Sequence, residues 1–144
     1  PVLFGEDYEF EIGKGVVLRD GSDVTLVATG IMVSKAVEAA EALATEGVTA
    51  AVVNISTIKP LDDALLVAMA QKTGAVVTCE EHNIYGGLGS AVAEVLVENC
   101  PVPMARVGVE DSFGESGLPD QLLEKYGLTV DNIVKKAKAV IARK

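Results

Sequence analysis

Short apolar runs alternate with longer amphipathic stretches along this chain, and the alternation predicts the fold. Residues 24–29 (VTLVAT), 48–54 (VTAAVVN), 75–79 (AVVTC) and 104–109 (MARVGV) read as strands. The first and third are almost continuously apolar, as in strands covered on both faces of a parallel sheet. Between them, Val33, Val37, Ala40 and Ala44 recur at helical spacing, and Gly47 follows where a helix stops. Leu65, Leu66, Met69 and Ala70 mark a second helix, capped by Asp62 or Asp63. Leu88, Val92 and Val95 mark a third. A shorter helix over 118–126 ends at Gly127, and Ile133, Ala137, Val140 and Ile141 mark the last, with Asp131 near its start. Strands alternating with helices predict a three-layer α/β/α domain with right-handed crossovers.

One connection breaks the rhythm. Val16, Val17 and Leu18 form a short apolar run, separated from the next strand only by Asp20-Gly21-Ser22-Asp23. Four residues cannot carry a crossover but can turn a hairpin. The expected sheet therefore has five strands, mostly parallel, with one antiparallel edge strand. Residues 1–13, acidic and without a clear period, read as a linker or arm from a preceding domain; residues 14–144 form the domain proper. Residue 1 is Pro, which fits a piece of a longer polypeptide.

Composition narrows the function. The 144 residues are 49% hydrophobic, enough to build a core, so general disorder is excluded. Twelve Lys and Arg against 21 Asp and Glu leave a net charge of −9, which repels nucleic-acid backbones. Two cysteines, Cys79 and Cys100, build no disulfide framework and suit a reducing compartment. No apolar run reaches the roughly 18 residues of a membrane span and no signal peptide is visible, so a cytoplasmic protein is expected. Five of the 12 cations fall in the last ten residues: Lys135, Lys136, Lys138, Arg143 and Lys144. Cations there complement the negative end of a helix dipole; a basic docking patch is the sharper alternative.

The richest chemistry is the run Glu80-Glu81-His82-Asn83-Ile84-Tyr85-Gly86-Gly87-Leu88-Gly89-Ser90, which follows a strand directly. Ligands of open α/β sheets gather beyond the carboxyl ends of strands. A carboxylate beside an imidazole suits proton transfer. A metal site needs more ligands than one His, and no cysteine cluster supplies them. The favoured reading is a polar loop that caps the next helix or docks on another subunit. Gly86, Gly87 and Gly89 miss the dinucleotide fingerprint, because the sixth position counted from Gly87 is Val92. Close packing of helix on sheet explains them better, although a helix start can also bind an anion. Lys59-Pro60-Leu61-Asp62-Asp63 reads as a turn followed by a cap. Phe113, on the loop Asp111 to Gly117, is either a docking anchor or a core plug, with the plug slightly preferred. The residues alone therefore give no catalytic centre.

The order of these motifs resembles the C-terminal domain of the transketolase family of thiamine-diphosphate enzymes. The likeness runs from Gly13 through Ile12-Gly13-Lys14-Gly15, Ala28-Thr29-Gly30, Lys59-Pro60-Leu61-Asp62, Glu80-Glu81-His82 and Gly86-Gly87-Leu88-Gly89-Ser90-Ala91-Val92. The ending, Phe113-Gly114-Glu115-Ser116-Gly117 and then Tyr126-Gly127-Leu128-Thr129, looks most like the second chain of split transketolases. The resemblance implies a parent transferase that moves a two-carbon ketol unit between sugar phosphates in the pentose phosphate pathway, with thiamine diphosphate and Mg2+ between two other domains of a dimer. The family's Gly-Asp-Gly metal motif is absent, since Arg19 precedes Asp20-Gly21 and Asn54, Asn83, Asn99 and Asn132 are all isolated.

So the implied role is assembly with the pyrimidine- and diphosphate-binding domains, in a homodimer or a split-subunit enzyme. No cofactor, metal or catalytic residue is expected on this domain. Glu80, Glu81, His82, Asn83, Gly86, Gly87, Gly89, Ser90 and Phe113 are the candidate interface or anion-binding residues. The alternatives are the C-terminal domain of 1-deoxyxylulose-5-phosphate synthase and a regulatory module binding an anion or nucleotide.

Overall fold

A computed structural model of the chain describes residues 13–83, 87–109 and 120–144. Five strands, β1 (Val16–Arg19), β2 (Val24–Ala28), β3 (Ala50–Asn54), β4 (Val76–Asn83) and β5 (Met104–Val109), form one sheet in the order β1-β3-β2-β4-β5. The helices are α1 (Met32–Ala44), α2 (Asp63–Thr73), α3 (Leu88–Asn99), α4 (Asp120–Lys125) and α5 (Val130–Ala142).

Every residue of β2 and β3 is buried, as their apolar sequences require. Pleating divides their side chains between two cores. Leu26, Val52, Val77 and Val107 face α1 and α5, where Met32, Leu43, Ile133 and Val140 complete one core. Val27, Val53 and Val76 face α2 and α3, where Leu66, Met69, Leu88 and Val92 complete the other. The three layers are those expected, with one shift of helix face. The buried stripe of α1 runs through Met32, Val33, Ala36, Ala40 and Leu43, and Val37 sits at its margin.

The edge strand is antiparallel, but the hairpin expectation is corrected. β1 pairs with β3 and not with β2, its neighbour in sequence. The linker 20–23 steps over the amino end of β3. Asp23 N donates to Thr49 O (2.9 Å), and Thr49 N donates back to Asp23 Oδ2 (2.7 Å). Ser22 N donates to Thr49 Oγ1 (3.0 Å). Two strand spacings are about 10 Å, well within the reach of four extended residues. A hairpin rule considers only the two strands that flank a turn, so it cannot see a third inserted between them.

Caps fix the helices. The Asp62 carboxylate accepts from Leu65 N (3.2 Å) at the start of α2 and from Gly15 N (2.9 Å) at the entry to β1. One side chain thus joins the Lys-Pro-Leu-Asp and Gly-Lys-Gly segments. The Lys59–Pro60 peptide is cis. Gly47 and Gly127 take the left-handed conformation after their helices, with φ of 78° and 75°. Thr129 caps α5 by accepting from Asn132 N (3.2 Å), and Asp131 lies in its first turn.

Four cations of the basic terminus have partners elsewhere in the fold, and Arg143 stands at the C-cap of α5. Lys136 donates to Arg106 O (2.8 Å) and Arg143 to Met104 O (3.3 Å), both carbonyls of β5. Lys144 donates to Thr73 O (2.8 Å) and Asp23 O (3.0 Å), and Lys138 pairs with Glu46 (2.5 Å). The cations tie α5 to the sheet and to the loops at its amino end.

Candidate functional site

The carboxyl ends of β2, β4 and β5 and the start of α3 meet at one end of the sheet. The sequence places the acidic run in a loop there, and the structure corrects this: β4 continues through Glu80, Glu81, His82 and Asn83. Its pairing with β5 shifts between Cys79 and Asn83, so four residues of β4 advance against two of β5. Such bulges re-aim side chains at sheet rims.

The pleat sends the two glutamates to opposite faces. Glu80 is buried, with 2% of its surface exposed, on the α3 side. Its carboxylate accepts a hydrogen bond from Leu88 N, the first residue of α3. Gly87, the residue before the helix, supplies no side-chain cap, so Glu80 does that work from the neighbouring strand. Glu81 faces the other way, toward Gly30 at the end of β2. It is half-buried, and among the described residues its Oε2 atom is shielded from solvent with no hydrogen-bond partner.

Gly89 lies buried in the first turn of α3. A Cβ there would stand 2.7 Å from Cδ of Arg106 and 3.0 Å from Oγ1 of Thr78, so close packing of helix on sheet explains this glycine. Ser90 follows it, half-buried. Gly86 and Phe113 lie outside the described residues, as do residues 1–12 of the expected arm. His82 and Asn83 are described only as backbone of β4. Arg106 and Thr78 are additions to the predicted set. Their signal in the sequence is one cation and one hydroxyl inside the otherwise apolar runs 104–109 and 75–79.

Among the described residues, no three His, Cys, Asp or Glu side chains cluster as metal ligands. No described helix is long and apolar enough to cross a membrane.

Cys79 precedes this pair and is fully buried. Desolvation first, and then the Glu80 charge, push its thiol up from 9.0 to about 12. The thiolate is the reactive form. Alkylation of the native chain at pH 8 should therefore modify the partly exposed Cys100 and leave Cys79 untouched until the chain unfolds, as mass mapping would read. Because the folded thiol holds its proton longer than the unfolded one, its contribution to stability is intact below pH 9.0 and is lost as pH rises toward 12.

The comparisons with known proteins agree with this architecture. The family "Transketolase, C-terminal domain" matches residues 13–133. The 6-deoxy-6-sulfo-D-fructose transketolase subunit SqwH of Clostridium sp. (strain MSTE9) is 56% identical over 139 residues, covering 96% of this chain and 43% of that protein. The 1-deoxy-D-xylulose-5-phosphate synthase of Heliobacterium modesticaldum is 47% identical over 128 residues, covering 88% of this chain and 20% of that enzyme. A solved structure described as a split gene transketolase, inactive beta4 tetramer, superposes with a TM-score of 0.93 at 54% identity. It matches 99% of this chain and 46% of its own. The chain thus spans less than half the length of each of these relatives. With the fold and most of its length matched, this chain belongs to the transketolase C-terminal domain family.

Proposed function

We propose that this chain is the C-terminal assembly module of a thiamine-diphosphate-dependent transketolase and has no catalytic activity alone. The observation that carries the reading is the 56% identity to a transketolase subunit over 96% of this chain. In the proposed enzyme a two-carbon ketol unit passes from a ketose phosphate to an aldose phosphate in the cytoplasm, as in the pentose phosphate pathway. Thiamine diphosphate stabilises the carbanion of that transfer. The cofactor and its divalent cation belong to the diphosphate- and pyrimidine-binding portions, which associate with this module as dimers or split-subunit assemblies. One feature favours placing the cofactor elsewhere: the first amide of α3 already donates to Glu80. That bond also favours an interface over a free anion at this helix start.

The experiment is reconstitution. Mixed with the missing portions, the chain should restore or raise ketol transfer from xylulose 5-phosphate to ribose 5-phosphate. A polypeptide ending before Gly13 that is equally active and equally dimeric would refute the assembly role. The 47% identity to a 1-deoxyxylulose-5-phosphate synthase supports a second reading, condensation of pyruvate with glyceraldehyde 3-phosphate. Profiling the reconstituted enzyme on both substrate pairs, and on 6-deoxy-6-sulfo-D-fructose, separates them.

A further inference from the structure

Glu81 has an acceptor atom that the described residues leave unused. Its Oε2 is shielded from water, and no donor among the described residues reaches it. All 12 Lys and Arg of the sequence lie within the described residues; the segments 1–12, 84–86 and 110–119 contain none. No additional lysine or arginine from those segments is therefore available to Glu81. A shielded carboxylate oxygen with no donor among the described residues is costly to leave unpaired, so its partner lies outside them.

The surroundings suit a contact. Gly30 takes a φ of +56° beside Glu81, and a Cβ there would come within 3.6 Å of Oε1. Next to it Ile31 is 44% exposed, one of three large hydrophobics that the described surface leaves out. The chain also enters the domain at this end of the sheet, because Val16 pairs with Asn54 at the carboxyl end of β3. The described residues therefore begin, at Gly13, on this side of the sheet. The chain's charge of −9 rewards a cationic partner and repels an anionic one.

We infer that Glu81 accepts a cationic side chain from the companion polypeptide of the assembly, with Ile31 packing beside it; this rests on the assembly role proposed above. Glu80, one residue earlier, is structural, whereas Glu81 is the docking acceptor.

The test compares the unaltered chain with Glu81→Gln and Glu81→Ala. The first measurement is affinity for the diphosphate- and pyrimidine-binding portions, by sedimentation at low and high salt. The second is the thermal midpoint of the chain by itself. Both variants should bind at least about tenfold more weakly, with a shallower salt dependence. Their midpoints should stay level or rise, because an unsatisfied acceptor has been removed. Unaltered affinity in both variants overturns the inference and leaves the assembly role standing. So does a midpoint lowered by several degrees in Glu81→Gln, which would reveal a partner within the chain. If the unaltered chain does not associate at all, the assembly role itself fails, and the inference with it.

Discussion

Gly21→Ala should remove about 3 kcal/mol of stability, and Gly21→Val more, the largest loss expected from any surface glycine here. The cause is the linker that steps over β3. A Cβ on Gly21 would lie 2.4 Å from the carbonyl carbon of Ala50 and 2.4 Å from the amide nitrogen of Ala51. Those are backbone atoms of a central strand, so no rotamer change relieves the contact. The linker must lift, breaking the bonds that Ser22 and Asp23 make to Thr49. It would also move Asp20 away from Lys72, the bond that holds the Asp20 carboxyl below its usual range. The thermal midpoint should fall by roughly 10 °C. Gly47→Ala is the comparison. Nothing lies within 4 Å of a Cβ at Gly47, and only its positive φ opposes the change. Its cost should be about 1 kcal/mol. Equal losses at both positions, measured by urea unfolding, would show that the close approach at Gly21 is not what fixes the linker.

The second large effect is expected at Glu80. Glu80→Ala leaves the buried amide of Leu88 without its acceptor and opens a gap beneath α3, costing about 2–3 kcal/mol. Glu80→Gln keeps an acceptor but loses its charge, so about half of that loss should return. The damage should be local. Amide exchange across 88–92 should accelerate before that of β2 and β3, since the first turn of α3 loses its cap. Removing the charge also lowers one of the two causes that hold Cys79 up, so its thiol should shift downward in Glu80→Gln. If Glu80→Ala and Glu81→Ala change stability equally, the two carboxylates do not have the separate roles their faces give them.

The adjacent glutamates show where reading the chain stops being sufficient. Glu80 and Glu81 are chemically identical and consecutive, and their position after an apolar strand marks the place where ligands or partners gather. Their division of labour comes from the pleat: one carboxylate meets the helix on the α3 face, the other opens toward Gly30. The continuation of β4 through the run was equally hidden, because four polar residues have no strand pattern and are held by pairing across a bulge. The basic tail is similar. Five cations in ten residues read as a complement to the helix dipole or a docking patch, and only folding shows Lys136, Arg143 and Lys144 ending on carbonyls far away in the chain.

By itself the sequence determined the local elements and the class of fold. Apolar runs, helical spacing and capping residues such as Asp62 and Thr129 act over a few positions, and their physics is complete at that range. It also carried the motif order that marks the family. The tertiary structure alone decided that β1 lies beside β3, that Gly21 sits against the Ala50–Ala51 peptide, and which glutamate caps α3. Those outcomes depend on groups far apart in the chain arriving within a few ångströms of each other, and no local pattern encodes such a distance.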